Sequence, residues 1–229
     1  MSIPAVSSPW SAALRASLPV GLGYLPAGFA FGVLAVEGGL PAWLALAMSV
    51  FVYAGALQYA AIPMMAAGVG LPTFALTTLA INLRHLLYAL PMIPWLPRQR
   101  LPRAYSLAAL TDETYSLLST MPPAERAALL LPVSLFNQVW WVLGTLVGAL
   151  SGPAVAAHVP NLDFALPCLF LILAIEQYLG NRLWHPAAAG AVGLLAATWL
   201  VPPQHVLIVA LGLAVACLAC VEPDRQERA

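Results

Sequence analysis

The chain has 229 residues, of which 62% are hydrophobic and only 8% charged, and its formal net charge is +0. Soluble domains carry about 25% charged residues, so this composition, with a mean hydropathy of +0.87, excludes an ordinary soluble globule and points to a lipid bilayer as solvent. The neutral balance gives no electrostatic footing for nucleic acid.

All nine basic residues are Arg. Cys168, Cys217 and Cys220 lie in apolar runs. Cys217 and Cys220 have C-x-x-C spacing, but neither His nor a second pair accompanies them, so no metal, redox centre or cofactor is expected. Seven apolar segments, at about 11–36, 41–67, 72–97, 126–150, 164–181, 184–201 and 204–221, predict an all-α, polytopic membrane protein forming one integral membrane domain over 1–229. A spanning helix takes roughly 20 apolar residues; the sixth segment is short. The run after Arg15 is too long, and too rich in internal Pro and Gly, for a cleaved signal peptide, and reads as a first membrane segment.

The first segment contains PVGLGYLPAGFAFG, residues 19–32. Pro26 removes a backbone hydrogen bond, and Gly23 and Gly28 loosen the helix. A helix broken here presents free N–H groups and a positive half-helix end, which suits a carboxylate. The competing reading is a Pro kink with small residues for packing. The second segment holds AMSVFVYAGALQ, residues 47–58, with Gln58 after the small pair Ala54 and Gly55.

The third segment contains INLRHLLYAL, residues 81–90. At 100° per residue, Leu83, Leu86, Leu87 and Leu90 share one face. Arg84, His85 and Tyr88 share the other, with Asn82 at the edge. A guanidinium facing lipid costs several kcal/mol, so the polar face is expected to point into the bundle. There Arg84 is either a structural ion pair, for instance with Glu176 or Asp163, or an anchor for a carboxylate. His85 is either a hydrogen-bonded core residue or a proton carrier, since imidazole titrates near neutrality.

Residues 98–125 form a polar connection with Arg98, Arg100 and Arg103. Short Arg-rich loops stay cytoplasmic, which places this loop inside, 151–163 outside, and Arg182 and the tail with Arg225 and Arg228 inside. Three crossings back, the N-terminus falls outside, against the weak vote of Arg15. Asp112 and Glu113 in LTDETYSLL read as the first turn of a cytoplasmic helix, where acids are favoured. Asn137 and Gln138 open NQVWW, and Glu176 and Gln177 lie in AIEQY. Each either contacts a zwitterionic ligand or binds a neighbouring helix. Asp163 reads as an N-cap. Trp140, Trp141, Trp184 and Trp199 mark interfaces or packing.

GFAFG (28–32) and GTLVG (144–148) are both G-x-x-x-G, and residues 47–58 align with ALPCLFLILAIE (165–176). If segments 1–3 and 4–6 are repeats, an odd number of crossings inverts the second copy, as in secondary transporters with midplane sites. The competing reading is close helix packing.

Taken in order, PVGLGYLPAGFAFG, AMSVFVYAGALQ, INLRHLLYAL, LTDETYSLL and NLDFALPCLF resemble the AzlC family across residues 17 to about 180. The resemblance implies the large subunit of a branched-chain amino acid exporter, with valine, leucine, isoleucine and sometimes methionine as substrates. It also implies a small, separately encoded membrane subunit of the AzlD type and a multi-pass location in the inner or plasma membrane. No G-x-x-x-x-G-K-[ST] motif occurs, so ion coupling is expected rather than ATP hydrolysis. With neither G-x-S-x-G nor H-E-x-x-H present, an enzyme is not expected. A structural subunit or a carrier of another small zwitterion is the alternative. The candidate substrate-binding residues are Gly23, Pro26, Gly28, Gln58, Asn82, Arg84, His85, Tyr88, Asn137 and Glu176.

Overall fold

The structure, a computed structural model, describes residues 8–156, 183–202 and 206–221, together with Leu171, Ile175 and Tyr178. The described residues contain helices and no strand. The chain divides into two compact units. The first takes residues up to Leu71 and from Asn82 to Phe170; the second takes Pro72–Ile81 and the residues from Leu171 onward.

The first unit is built on two long helices, α1 (Pro9–Glu37) and α8 (Pro123–Ala156). Both are long and apolar enough to cross a membrane, and the helices on either side of Leu83 add a third crossing if counted as one broken span. Ser8 caps α1, its side chain accepting the Ser11 N–H, as an N-cap does.

The expected break in the first segment is absent. Helix α1 runs through both Pro19 and Pro26. Its small residues are used for packing instead. A Cβ added at Gly28 would lie 2.5 Å from the Trp141 carbonyl oxygen of α8, and one at Gly144 of α8 would lie 2.5 Å from the Leu25 carbonyl oxygen of α1. Gly32 and Gly148 meet the opposite backbone in the same way, at Thr145 and Phe29. The two G-x-x-x-G motifs therefore face one another, because only a missing side chain lets two backbones come this close.

The breaks fall elsewhere. After α2 (Ala42–Ala47), a π turn over Met48–Val52 ends at Tyr53, whose φ of 44° and ψ of 46° are left-handed. An L side chain with a Cβ pays to adopt that region. Helix α3 (Gly55–Ala66) then starts afresh. A second interruption at Leu83 separates α4 (Leu71–Asn82) from α5 (Arg84–Met92).

The polar connection is folded. It forms α6 (Arg100–Ala108) and α7 (Asp112–Ser119). Thr111 caps α7, accepting the Thr114 N–H, and Asp112 and Glu113 occupy its first turn, as their type suits. Arg126 holds the other end, donating to the carbonyls of Ser119 and Met121. Leu118 of α7 packs among Ala13, Tyr88, Met92, Leu130 and Val133, so α7 is seated against α1, α5 and α8.

In the second unit, α9 (His185–Leu200) and α10 (Val206–Val221) pack together, with Gly193 close against the Ala210 carbonyl. The helices follow six of the seven apolar segments; most of the fifth, 164–181, lies outside the described residues.

Candidate functional site

Three helix beginnings converge in the first unit: α3 at Ala54, Gly55 and Ala56, α5 at Arg84 and His85, and α7 at Thr111, Asp112 and Glu113. Tyr24 of α1, Tyr53, Tyr88 and Trp141 of α8 complete the lining of one cavity. The breaks create this convergence. The restart at Gly55 sets the first turn of α3, whose N–H groups lack partners within their own helix, beside the cavity that Ala54, Gly55 and Ala56 line. Gly55 also makes room for Trp141, whose ring would lie 2.9 Å from an added Cβ. The open volume is about 20 Å³, enough for about one water and far below the roughly 300 Å³ of a small-ligand pocket.

The polar groups are arranged in two connected sets. Arg84 Nη1 donates to Asp112 Oδ2 at 2.9 Å, with 30% and 33% of the two side chains exposed. Beside this pair, the Tyr24 hydroxyl donates to Glu113 Oε2 at 2.6 Å and lies 2.8 Å from Thr111 Oγ1. Thr111 lies 3.1 Å from Thr114 Oγ1, which accepts from Asn137 Nδ2 at 2.9 Å. Glu113 is buried. Burial, and secondarily the neighbouring Asp112, push its carboxyl well above the ordinary carboxylate range, while the Tyr24 hydrogen bond offsets part of that. Tyr53 Oη, Tyr88 Oη and Trp141 Nε1 are buried at residues that line the cavity and meet no hydrogen-bonding partner in good geometry among the described residues.

Of the residues singled out from sequence, Arg84, His85 and Tyr88 line this cavity. Leu86, Leu87 and Leu90 are exposed on the opposite face of α5, so the two-faced reading of this helix holds. The Arg84 partner found here is Asp112; Asp163 and Glu176 lie outside the described residues. Asn137 joins the network one residue removed from the cavity. Gln58 is buried but serves another set, donating to Ser49 Oγ at 2.9 Å, which lies 2.8 Å from Thr145 Oγ1. Asn82 ends α4. Gly28 is spent on the α1–α8 contact, Pro26 is exposed and Gly23 is half-buried on α1.

From the sequence, Asp112 and Glu113 have only a helix-start role and Trp141 only an interface or packing one, while Tyr24, Tyr53 and Thr111 carry no expectation. One signal was available: LTDETYSLL places two acids between leucines, an apolar setting unlike a solvated turn. The aromatic residues carried no signal, since their partners are 29 to 117 positions away along the chain (Tyr24 to Tyr53, Tyr24 to Trp141).

Fold and site together define a helical membrane protein whose buried polar site is built where its helices break. The chain belongs to the AzlC family, described as AzlC protein, whose model matches residues 19–155. It is 34% identical over 200 residues to an uncharacterized membrane protein of Helicobacter pylori strain 26695, covering 86% of this chain and 88% of that one. It is 30% identical over 223 residues to the inner membrane protein YgaZ of Escherichia coli K12, covering 90% and 86%. With the branched-chain amino acid transport protein AzlC of Bacillus subtilis it shares 26% identity over 202 residues, covering 87% and 79%. No solved structure matches.

Proposed function

We propose that this protein is the large subunit of an exporter of branched-chain amino acids, working with a small AzlD-type membrane subunit and driven by an ion gradient. The cavity at the helix breaks carries this reading. A zwitterion needs donors for its carboxylate and an acceptor for its ammonium group. The first turn of α3, with Tyr53 Oη and Trp141 Nε1 beside it, supplies donors at a positive helix end. Glu113 and the Arg84–Asp112 pair supply the balancing charge. The Bacillus subtilis relative is named for branched-chain amino acid transport, which agrees with this chemistry.

The same reading takes the chain as multi-pass in the inner or plasma membrane, with seven crossings and segments 1–3 and 4–6 as inverted halves. The facing of Gly28 and Gly32 with Gly144 and Gly148 supports it, since these motifs occupy corresponding first segments. In an open state the site must enlarge, because about 20 Å³ does not hold an amino acid; alternating access supplies that enlargement.

The test is efflux from cells preloaded with a valine-containing dipeptide, expressing this chain alone, with an AzlD-type subunit, or neither. Valine efflux accelerated only by both chains is the expected result. Unchanged efflux, with both proteins verified in the membrane, removes valine export and leaves other small zwitterions to be tried.

A further inference from the structure

Glu113 is buried, and the Tyr24 hydroxyl donates to its carboxyl group at 2.6 Å. Among the described residues no cation lies within ion-pair distance of it; Arg84 is engaged by Asp112. The ionisable groups that share its cavity are Tyr24 from α1, Tyr53 ahead of α3, Arg84, His85 and Tyr88 from α5, and Asp112 from its own helix. Asp112 pairs with Arg84, so among the described residues an ionised Glu113 has no cation of its own, in a buried position beside Tyr24, Tyr53, Tyr88 and Trp141. A buried carboxylate in that position either takes up a proton or takes a cation as partner. The cavity that Glu113 lines is the one whose donors suit a carboxylate, so a cation arriving there as part of a zwitterion is placed to meet it.

We propose that Glu113 is an exchange site, its carboxyl group holding in turn a proton and the ammonium group of an amino acid. The inference rests on the amino acid reading above. Binding converts the carboxylic acid and a free ammonium ion into a carboxylate–ammonium pair and one released proton. One carboxylate cannot hold both ligands, so each must leave before the other is loaded, and this mutual exclusion couples a proton moving one way to an amino acid moving the other. Tyr24 is a positioning residue. Its hydroxyl donates to the carboxylate and favours the ionised form.

The experiment is calorimetry of valine binding to the full-length chain purified with its small subunit, in buffers of different ionisation enthalpy, from mildly acidic to mildly alkaline pH. Wild-type protein is expected to release close to one proton per valine bound at the acid end, falling toward zero as Glu113 becomes ionised beforehand. Glu113→Gln is expected to release none and to bind valine at least roughly tenfold more weakly, a loss of about one decade for 1.4 kcal/mol. Glu113→Asp, which keeps a carboxyl group if the amide variant folds poorly, is expected to retain proton release. Tyr24→Phe is expected to move the pH dependence upward by roughly one unit, the worth of one hydrogen bond to a charged group. Valine binding without proton release in the wild type overturns the proposal and leaves the substrate reading standing. Release that survives Glu113→Gln but disappears in His85→Gln moves the proton to His85 and also overturns it. Failure of the wild type to bind valine, leucine, isoleucine or another small zwitterion removes the substrate reading, and this inference with it.

Discussion

Arg84 reaches Asp112 at 2.9 Å while both side chains keep about a third of their surface exposed. A pair so placed contributes on the order of 1 kcal/mol to folding, closer to a surface pair than a sealed one. Arg84→Met is therefore expected to leave insertion and folding largely intact while reducing valine transport strongly. Paired measurements of efflux and of the monodisperse fraction after detergent extraction separate the outcomes, and loss of the folded protein would make the pair a structural clasp. Glu113 has a different energetic role. Its carboxyl is raised above its unfolded value by burial, so folding favours the protonated form. That contribution to stability is fully present below the ordinary carboxylate range and is lost as pH rises through the raised value. Thermal unfolding in detergent is expected to show wild-type stability falling across that window and Glu113→Gln nearly flat; parallel curves would mean that Glu113 keeps the same proton affinity in both states.

Helices α1 and α8 meet backbone to backbone, and this contact governs the first unit. Gly28→Leu places side-chain atoms against the Trp141 carbonyl, where a Cβ alone already comes to 2.5 Å. Backbone cannot swing aside as a side-chain tip can, so the cost is at least about 1–3 kcal/mol, and a sharp drop in folded yield is expected. Gly190→Ala is the contrast. No atom lies within 4 Å of the added Cβ, and replacing a helical glycine gives about 0.5–1 kcal/mol, so the melting temperature should hold or rise. At the second break, Tyr53 holds a left-handed conformation at φ 44°. Tyr53→Val puts a β-branched residue there, which tolerates that region poorly. The melting temperature should fall, whereas Tyr53→Phe keeps the ring beside Tyr24 and should cost transport rather than stability.

At the level of the molecule, the interruptions at Tyr53 and Leu83 bring the starts of α3 and α5 to one small cavity of about 20 Å³. The two-faced character of α5 was legible in INLRHLLYAL, because facing is a property of one helix and follows from its period alone. The same holds for the helical class of the protein and for the acid-bearing start of α7: composition sets the solvent, and a cap with its acids is a local pattern. The location of the break was not legible. PVGLGYLPAGFAFG contains every residue that loosens a helix, yet α1 continues through it. Glycine lowers the cost of interrupting a helix and equally the cost of pressing two helices together, and sequence cannot distinguish the uses without the partner. Facing Gly144 and Gly148 decided for packing, and the unwound turn fell at Tyr53, a residue with no local reason to be left-handed. Glu113 was visible as a helix-start acid but not as a buried one, since burial depends on Tyr24, which lies 89 positions away. Chain-local physics settled solvent, helix period and caps; which backbones touch, and therefore which carboxylate is sealed from water, came only from bringing distant segments together.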